Sequence, residues 1–396
     1  MPKINHIILS WARETAELSL EEAANKLGIR DGKKMRAQEK LLAYEDGTAE
    51  PSRSMLLKFS KIYRRPLLTF YLNNPPSIGD RGEDFRSLPD DFESEENVYV
   101  DVLIRDIKAS QSVIRETLID EDENIRLDFV GKNTTEQGIQ RVTNDLQVVL
   151  NLDMGEFRAQ SNHGNAFKLL RHAAEKIGVI VLLKGNLGSH HTNISVKAFR
   201  GFALSDDIAP FVVINDRDAE SAWAFTLLHE LTHILLGQTG VSGAFAKKQI
   251  EKFCNEVASE FLLPKDVFKN FQVSASNFEG LEEQISQYAF SQKISSTHIS
   301  YRLFRRGDID KKTWEQLRDS YHKKWVSQRD KKKAKNREQK GGPDYYVVRR
   351  HKLGALVGLV QRLNYSGALS TTKAGFLLDV RPLKVHRLFE ASNNLT

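Results

Sequence analysis

His229, Glu230 and His233 stand in the order His-Glu-x-x-His inside an apolar stretch. Four residues turn an α-helix through about 400°, so both imidazoles project from one side and can reach a single metal ion. Glu230 is then directed at a water held on that ion, and zinc is the ion this pattern suits. The flanks predict a helix. Asp216 and Asp218 offer caps, residues 221–236 contain no Gly or Pro, and Gly237 supplies a stop. Trp223, Phe225, Leu227, Leu228, Leu231, Ile234, Leu235 and Leu236 surround the motif, which predicts a buried helix whose polar residues need a reason. A metzincin arrangement is excluded, because it requires a Gly and a His where Leu236 and Thr239 stand. The remaining common third ligand is a carboxylate on a following helix.

Residues 249–263 form that second helical pattern, which Pro264 ends, and they offer Glu251, Glu256 and Glu260. Ile250, Phe253, Cys254, Val257, Ala258 and Phe261 make one apolar arc. Glu256 lies about 130° from its centre, while Glu251 and Glu260 lie about 90° away on opposite edges. The wheel sets Glu256 aside without separating the other two. The neighbours favour Glu251, since Asn255 and Ala258 share its stripe and the small Ala258 permits close helix approach.

The run from Phe225 through His229-Glu230-Leu231-Thr232-His233 to Gly237 resembles a known family, the ImmA/IrrE zinc metallopeptidases. So do Glu251-x-Phe253-Cys254-Asn255-x-Val257-Ala258, Leu262-Leu263-Pro264 and, upstream, Ala209-Pro210-Phe211-Val212-Val213-Ile214-Asn215. The resemblance covers roughly residues 165–310 and rests on ordered blocks. It implies an α+β, mostly helical fold with a gluzincin-like minimal metallopeptidase core and a small sheet. It also implies Zn2+ held by His229, His233 and Glu251, with Glu230 as general base. The implied function is a zinc-dependent endopeptidase. Its substrate would be a specific bacterial helix-turn-helix repressor or antitoxin, in stress, prophage or mobile-element control. The alternative is a DNA-binding transcriptional regulator with a non-catalytic peptidase-like domain.

Zinc with three protein ligands leaves a position for water and lowers that water's pKa towards about 7. Glu230 would take the proton and later deliver it to the leaving amine. Tyr288, His298 and Tyr301 are candidates for a second oxyanion donor by residue type, although each also has an ordinary structural reading. Residues 179–183, 194–198 and 211–214 read as short strands, and an exposed edge of their sheet would bind an extended substrate.

The 396 residues suffice for two or three domains. With 40% hydrophobic and 28% charged residues and no apolar run near the roughly 20 residues that span a bilayer, the composition is that of a soluble chain. Glu14 and Glu17 arrive too early for a signal peptide, and the single cysteine, Cys254, excludes an internal disulfide and suits a cytoplasmic location. Cys254 reads as a small core residue. The net charge of +6 is local: residues 323–340 hold nine Lys or Arg against two acids.

Residues 1–75 resemble the Xre-type helix-turn-helix domain that precedes the peptidase in such fusions. Ser19 and Glu22 form a capping box, Gly28 follows the helix, and Pro51 opens a helix holding Met55, Leu56, Phe59 and Ile62. Lys33, Lys34, Arg36, Gln38 and Lys40 offer DNA contacts, but their spacing departs from the usual recognition helix. The unit therefore either binds DNA or is a helical module that docks a repressor or masks the active site. Residues 76–96 read as a connector with a family-like Asp84-Phe85-Arg86, 97–325 as helical support plus the zinc peptidase domain, and 326–342 as a basic linker. That linker is a second candidate for DNA. Residues 343–396 read as an α/β accessory segment, with a strand at Tyr345-Tyr346-Val347-Val348 and helices after it.

Overall fold

The computed structural model describes residues 4–32, 35–65, 67–72, 95–238, 244–275, 277–338 and 344–393. The expectations placed on Lys33, Lys34, residues 73–92, Thr239 and residues 339–343 lie outside them. Two compact units divide the chain, one holding the described residues up to 72 with 95–105, the other running from Asp106 onward.

In the first unit, helices α1 (His6–Glu14), α2 (Leu20–Leu27), α3 (Ala37–Glu45) and α4 (Arg53–Ile62) enclose Ile8, Leu9, Ala12, Leu27, Leu41, Leu56, Phe59 and Phe70. The capping box at the start of α2 forms as expected: the Ser19 amide donates to Glu22 at 2.9 Å and the Glu22 amide to Ser19 Oγ at 3.2 Å. Gly28 ends that helix at φ 69°, a conformation a Cβ would strain. The Arg13 guanidinium donates to the buried Glu45 carboxylate at 2.8 Å, tying α1 to α3. Helix α5 (Glu95–Asp120) follows.

The second unit is α+β and mostly helical. Helices α6 (Ile139–Leu150), α7 (Met154–Ala159) and α8 (His163–Lys176) precede strands β1 (Ile180–Leu183), β2 (Gly201–Leu204) and β3 (Phe211–Ile214). The sheet order is β1-β3-β2. Strand β3 runs parallel to β1, with Ile180 opposite Phe211, and antiparallel to β2, with Gly201 opposite Ile214. Every residue of β1 and β3 is buried, which explains their unbroken Val, Ile, Leu and Phe sequence. The strand expected at 194–198 does not form. Ser195 O accepts from the Ala198 amide in a turn, and the buried Asn215 side chain donates to Ile194 O and Phe199 O. Those carbonyls are thereby taken from any ladder, and pairing resumes at Gly201.

Helices α9 (Glu220–Leu235) and α10 (Ala244–Leu262) lie at the centre, followed by α11 (Lys265–Phe268), α12 (Phe278–Gln292), α13 (Ser296–Arg306) and α14 (Lys311–Glu338). Helix α14 replaces the start of the expected linker: the backbone stays helical through residue 338. The last helices are α15 (Tyr345–Leu353), α16 (Leu356–Tyr365), α17 (Thr371–Leu377) and α18 (Val385–Asn393). The α/β reading of this segment is corrected, since its described residues form helices and turns. The Asp344 carboxylate accepts from the Tyr346 and Val347 amides at 2.7 and 3.2 Å, so an N-cap overrides the β-propensity of Tyr345-Tyr346-Val347-Val348. Among the described residues no helix is long and apolar enough to cross a membrane.

The candidate metal centre

Helix α9 carries His229, Glu230 and His233, and all three are buried. Its start is not capped as expected. Ala219 is the N-cap without a side-chain bond, Asp216 pairs with Lys352 at 2.6 Å and Asp218 lies 3.5 Å from Arg200. Burial holds the helix instead: Leu227, Leu228, Leu231 and Ile234 are inaccessible to solvent. Its end is built closely. Gly237 adopts φ 61°, and the Gly131 and Asn133 amides donate to Ile234 O and Leu235 O, each at 3.0 Å. This chain reversal brings the Gln238 side chain back to His233, with Oε1 3.2 Å from Nδ1. A proton on Nδ1 then donates to Gln238 and leaves Nε2 with its lone pair.

Helix α10 packs along α9 and delivers Glu251. The two Nε2 atoms of His229 and His233 are 3.2 Å apart, and the Glu251 carboxylate lies 3.3 Å from the first and 3.5 Å from the second. His229, His233 and Glu251 are thus a group able to hold a metal ion. The two other glutamates of α10 are placed differently. Glu260 is buried and accepts from the Lys265 amide at 3.2 Å, closing the turn at Pro264. Glu256 is half-buried and lies in the field of Arg305. Cys254 is buried with Sγ 3.7 Å from His233 Nδ1, so this core residue also touches the histidine.

Gly201 is a site residue that the sequence reading missed. A Cβ there would stand 2.5 Å from Thr226 Cγ2, 2.7 Å from Glu230 Oε1 and 3.2 Å from Val213 O. The bare backbone at the start of β2 therefore makes the room in which the Glu230 carboxylate lies. A glycine opening a strand was the available signal, as was a glutamine one residue beyond the helix stop.

Of the three oxyanion candidates, Tyr288 stacks on Phe271 with ring centres 4.1 Å apart, and Tyr301 packs against Trp314 at 5.8 Å. His298 packs on Phe225, one turn before His229, at 5.2 Å, with Nε2 3.1 Å from Ser259 Oγ. Burial, reinforced by the Arg302 charge, pushes the His298 imidazole down to about 3, so it is neutral near pH 7.

Residues 185–288 match the Peptidase_M78 family model, described as an IrrE N-terminal-like domain. The match spans β2, β3, α9 and α10, and it supports the ImmA/IrrE resemblance and a peptidase-like domain in this chain. No curated protein and no solved structure gives a match.

Proposed function

We propose that the chain is a zinc-dependent endopeptidase that cleaves a specific bacterial helix-turn-helix repressor or antitoxin. The observation that carries this reading is the convergence of His229, Glu251 and His233 beside Glu230 within a peptidase-like domain. The two Nε2 atoms are 3.2 Å apart, and the Glu251 carboxylate sets Oε2 3.3 Å from His229 and Oε1 3.5 Å from His233. Ligands roughly 2.1 Å from a tetrahedral zinc stand roughly 3.4 Å from one another. Two imidazoles and one carboxylate are also the donor set of catalytic zinc sites that retain an open position. When bound, zinc supplies an acidified water and an electrophile for the peptide carbonyl.

The chain's own residues do the rest. His229, His233 and Glu251 bind the ion, while Gln238 and Cys254 hold the His233 ring. Glu230 ligates nothing in this scheme; it receives the water's proton at a carboxylate oxygen and returns it to the leaving nitrogen. Strand β2 is an edge of the sheet. The Arg200 carbonyl accepts from the Asn215 amide at 2.8 Å, which sets the antiparallel register. In that register Phe202 and Leu204 bond to β3, and the Gly201 and Ala203 backbone groups point outward. An extended substrate segment pairing there would lie next to Glu230. The buried thiol of Cys254 suits a reducing, cytoplasmic setting. Residues 1–75 would bind DNA or present the repressor to the site.

The test incubates the zinc-loaded chain with the helix-turn-helix protein encoded beside its gene, followed by mass spectrometry of the products and metal analysis of variants. One discrete cut is expected, abolished in Glu230→Gln with the metal retained, while His233→Ala and Glu251→Ala lose metal. Metal loss in Glu230→Gln, full zinc retention in Glu251→Ala, or rapid digestion of unrelated unfolded proteins would overturn the reading.

A further inference from the structure

The last three helices have a construction that the peptidase reading does not use. Ser370 caps α17, its Oγ accepting from the Lys373 amide at 3.2 Å. The helix ends in a tight reversal: the Val380 amide donates to Gly375 O at 2.9 Å and the Leu378 amide to Ala374 O at 3.0 Å. Asp379 takes φ 50°, the left-handed position that closes such a helix end. After residues 378–381 the chain enters a 3-10 turn at Pro382–Lys384, which runs directly into α18. Gly375 faces this connection. A Cβ on it would stand 2.8 Å from Val380 O and 3.2 Å from the Pro382 nitrogen, so the turn requires a residue without a side chain.

Two short helices joined by a four-residue turn and packed on a third are the helix-turn-helix construction. Helix α16 supplies the third, contributing the buried Leu356, Val357, Val360 and Leu363. Ala374 and Leu377 of the first helix, Leu378 just after it, and Val385, Leu388 and Phe389 of the second are buried on the inner side. The outer side of the second helix is then fixed. Leu383, Lys384, His386, Arg387 and Glu390 are all exposed, with Leu383 at 94%. Arg381 and Lys373 are exposed beside them. Arg387 stacks over the Tyr346 ring at 5.0 Å and His386 lies parallel to Tyr365 at 6.2 Å, so aromatic rings hold two of these side chains.

We propose that residues 356–393 are a DNA-binding helix-turn-helix, with the segment from Pro382 through α18 entering the major groove of double-stranded DNA. Charge complementarity selects the partner. Four exposed cations, Lys373, Arg381, Lys384 and Arg387, stand on the two helices and their connection, against one exposed acid of the second helix, Glu390. The other acid of the turn, Asp379, is committed to Arg349 at 2.6 Å and Lys184 at 3.6 Å. Shape supports the same choice. A helix with its side chains is about 10–12 Å across, close to the major groove's width of about 12 Å. The exposed Leu383 at the leading end offers an apolar contact of the kind that thymine methyl groups accept. Lys373 and Arg381 sit where phosphates flank an inserted helix, and Lys384 and Arg387 sit where base edges are read.

The experiment measures binding of the full chain to fluorescent double-stranded DNA, first of random sequence and then of a sequence enriched from a random pool, at 50 and 200 mM salt. Arg381→Glu with Lys384→Glu and Arg387→Glu is expected to weaken binding by at least about tenfold and to flatten the salt dependence, because each phosphate contact contributes a slope of about −0.9. Leu383→Glu, at a position with almost no buried contact, is expected to weaken binding while leaving the thermal melt unchanged; it decides the question if the triple variant fails to fold. Reversals at Arg36, and separately at Lys323, Arg329 and Lys331 on α14, serve as comparisons. Wild-type chain that binds no DNA at 50 mM salt would overturn the proposal. So would wild-type affinity in Leu383→Glu and the triple variant, including the case where only the Arg36 or α14 reversals reduce binding.

Discussion

Helices α9 and α10 and helices α17 and α18 are two helix pairs of one chain that place functional groups in opposite ways. The first pair turns His229, His233 and Glu230 inward, where each is 4% exposed or less. The second turns Lys384, His386 and Arg387 outward, over a core of Val385, Leu388 and Phe389. A buried polar group costs free energy unless something compensates it, so its presence calls for a function. An exposed cation costs almost nothing, so its presence calls for none. Substitutions should follow the same division: inward positions couple stability to activity, and outward positions separate them.

Arg171 gives the largest expected effect. This buried guanidinium donates to Glu175 at 2.9 Å and to the carbonyls of Val181, His351 and Lys352, joining α8, β1 and the end of α15. Burial lowers its pKa, opposed by the Glu175 charge. Arg171→Met leaves Glu175 with only the Ala355 amide and those carbonyls without their donor, and is expected to cost about 3–5 kcal/mol in urea unfolding. A loss near zero would show that the C-terminal helices are not fastened through this residue.

Gly201→Ala comes next. Its Cβ would meet Glu230 Oε1 at 2.7 Å and Thr226 Cγ2 at 2.5 Å. Overpacking of this kind costs about 1–3 kcal/mol, and displacing the general base proposed for Glu230 is expected to lower cleavage by about a hundredfold. Zinc content should stay at one per chain, because no ligand is touched. Unchanged kcat/KM would break the link between Gly201 and Glu230.

The smallest effect belongs to Gln238→Ala. Removing the partner of His233 Nδ1 should weaken zinc binding by about 10–100-fold in a chelator competition, with little change in stability. Equal zinc affinity in variant and wild type would mean that Cys254 or water orients the ring sufficiently.

The inward pair was legible in the sequence because periodicity places His229 and His233 together and an apolar neighbourhood makes them anomalous. Glu251 was separable from Glu260 by its neighbours and by the family resemblance, since both lie at the edge of the apolar arc. The structure distinguishes them by what each carboxylate meets: Glu251 meets two imidazoles and Glu260 meets the Lys265 amide. Gly201 and Gln238 left only faint signals, because the closeness of Gly201 to Glu230 and of Gln238 to His233 is tertiary. The strands expected at 194–198 and 345–348 failed where polar side chains claimed the backbone, Asn215 in one case and Asp344 in the other. The sequence predicted helices after residue 348, and one of them stands at Thr371–Leu377. Its partner was overlooked because Pro382 falls within the connection, and proline reads as a break when it in fact opens the next helix.

The room that Gly201 leaves for Glu230 also makes a statement about inheritance. Positions 201 and 230 are adjacent in space and 29 apart in sequence, and the demand at the first comes from the Glu230 carboxylate together with the Thr226 methyl. A descendant that keeps the helices but loses the Glu230 carboxylate loses one of the two reasons for a glycine there, the other being Thr226. Alanine or serine at position 201 should then accompany smaller residues at positions 226 and 230. Reading those three columns together would sort working relatives from silenced ones, even where both histidines persist.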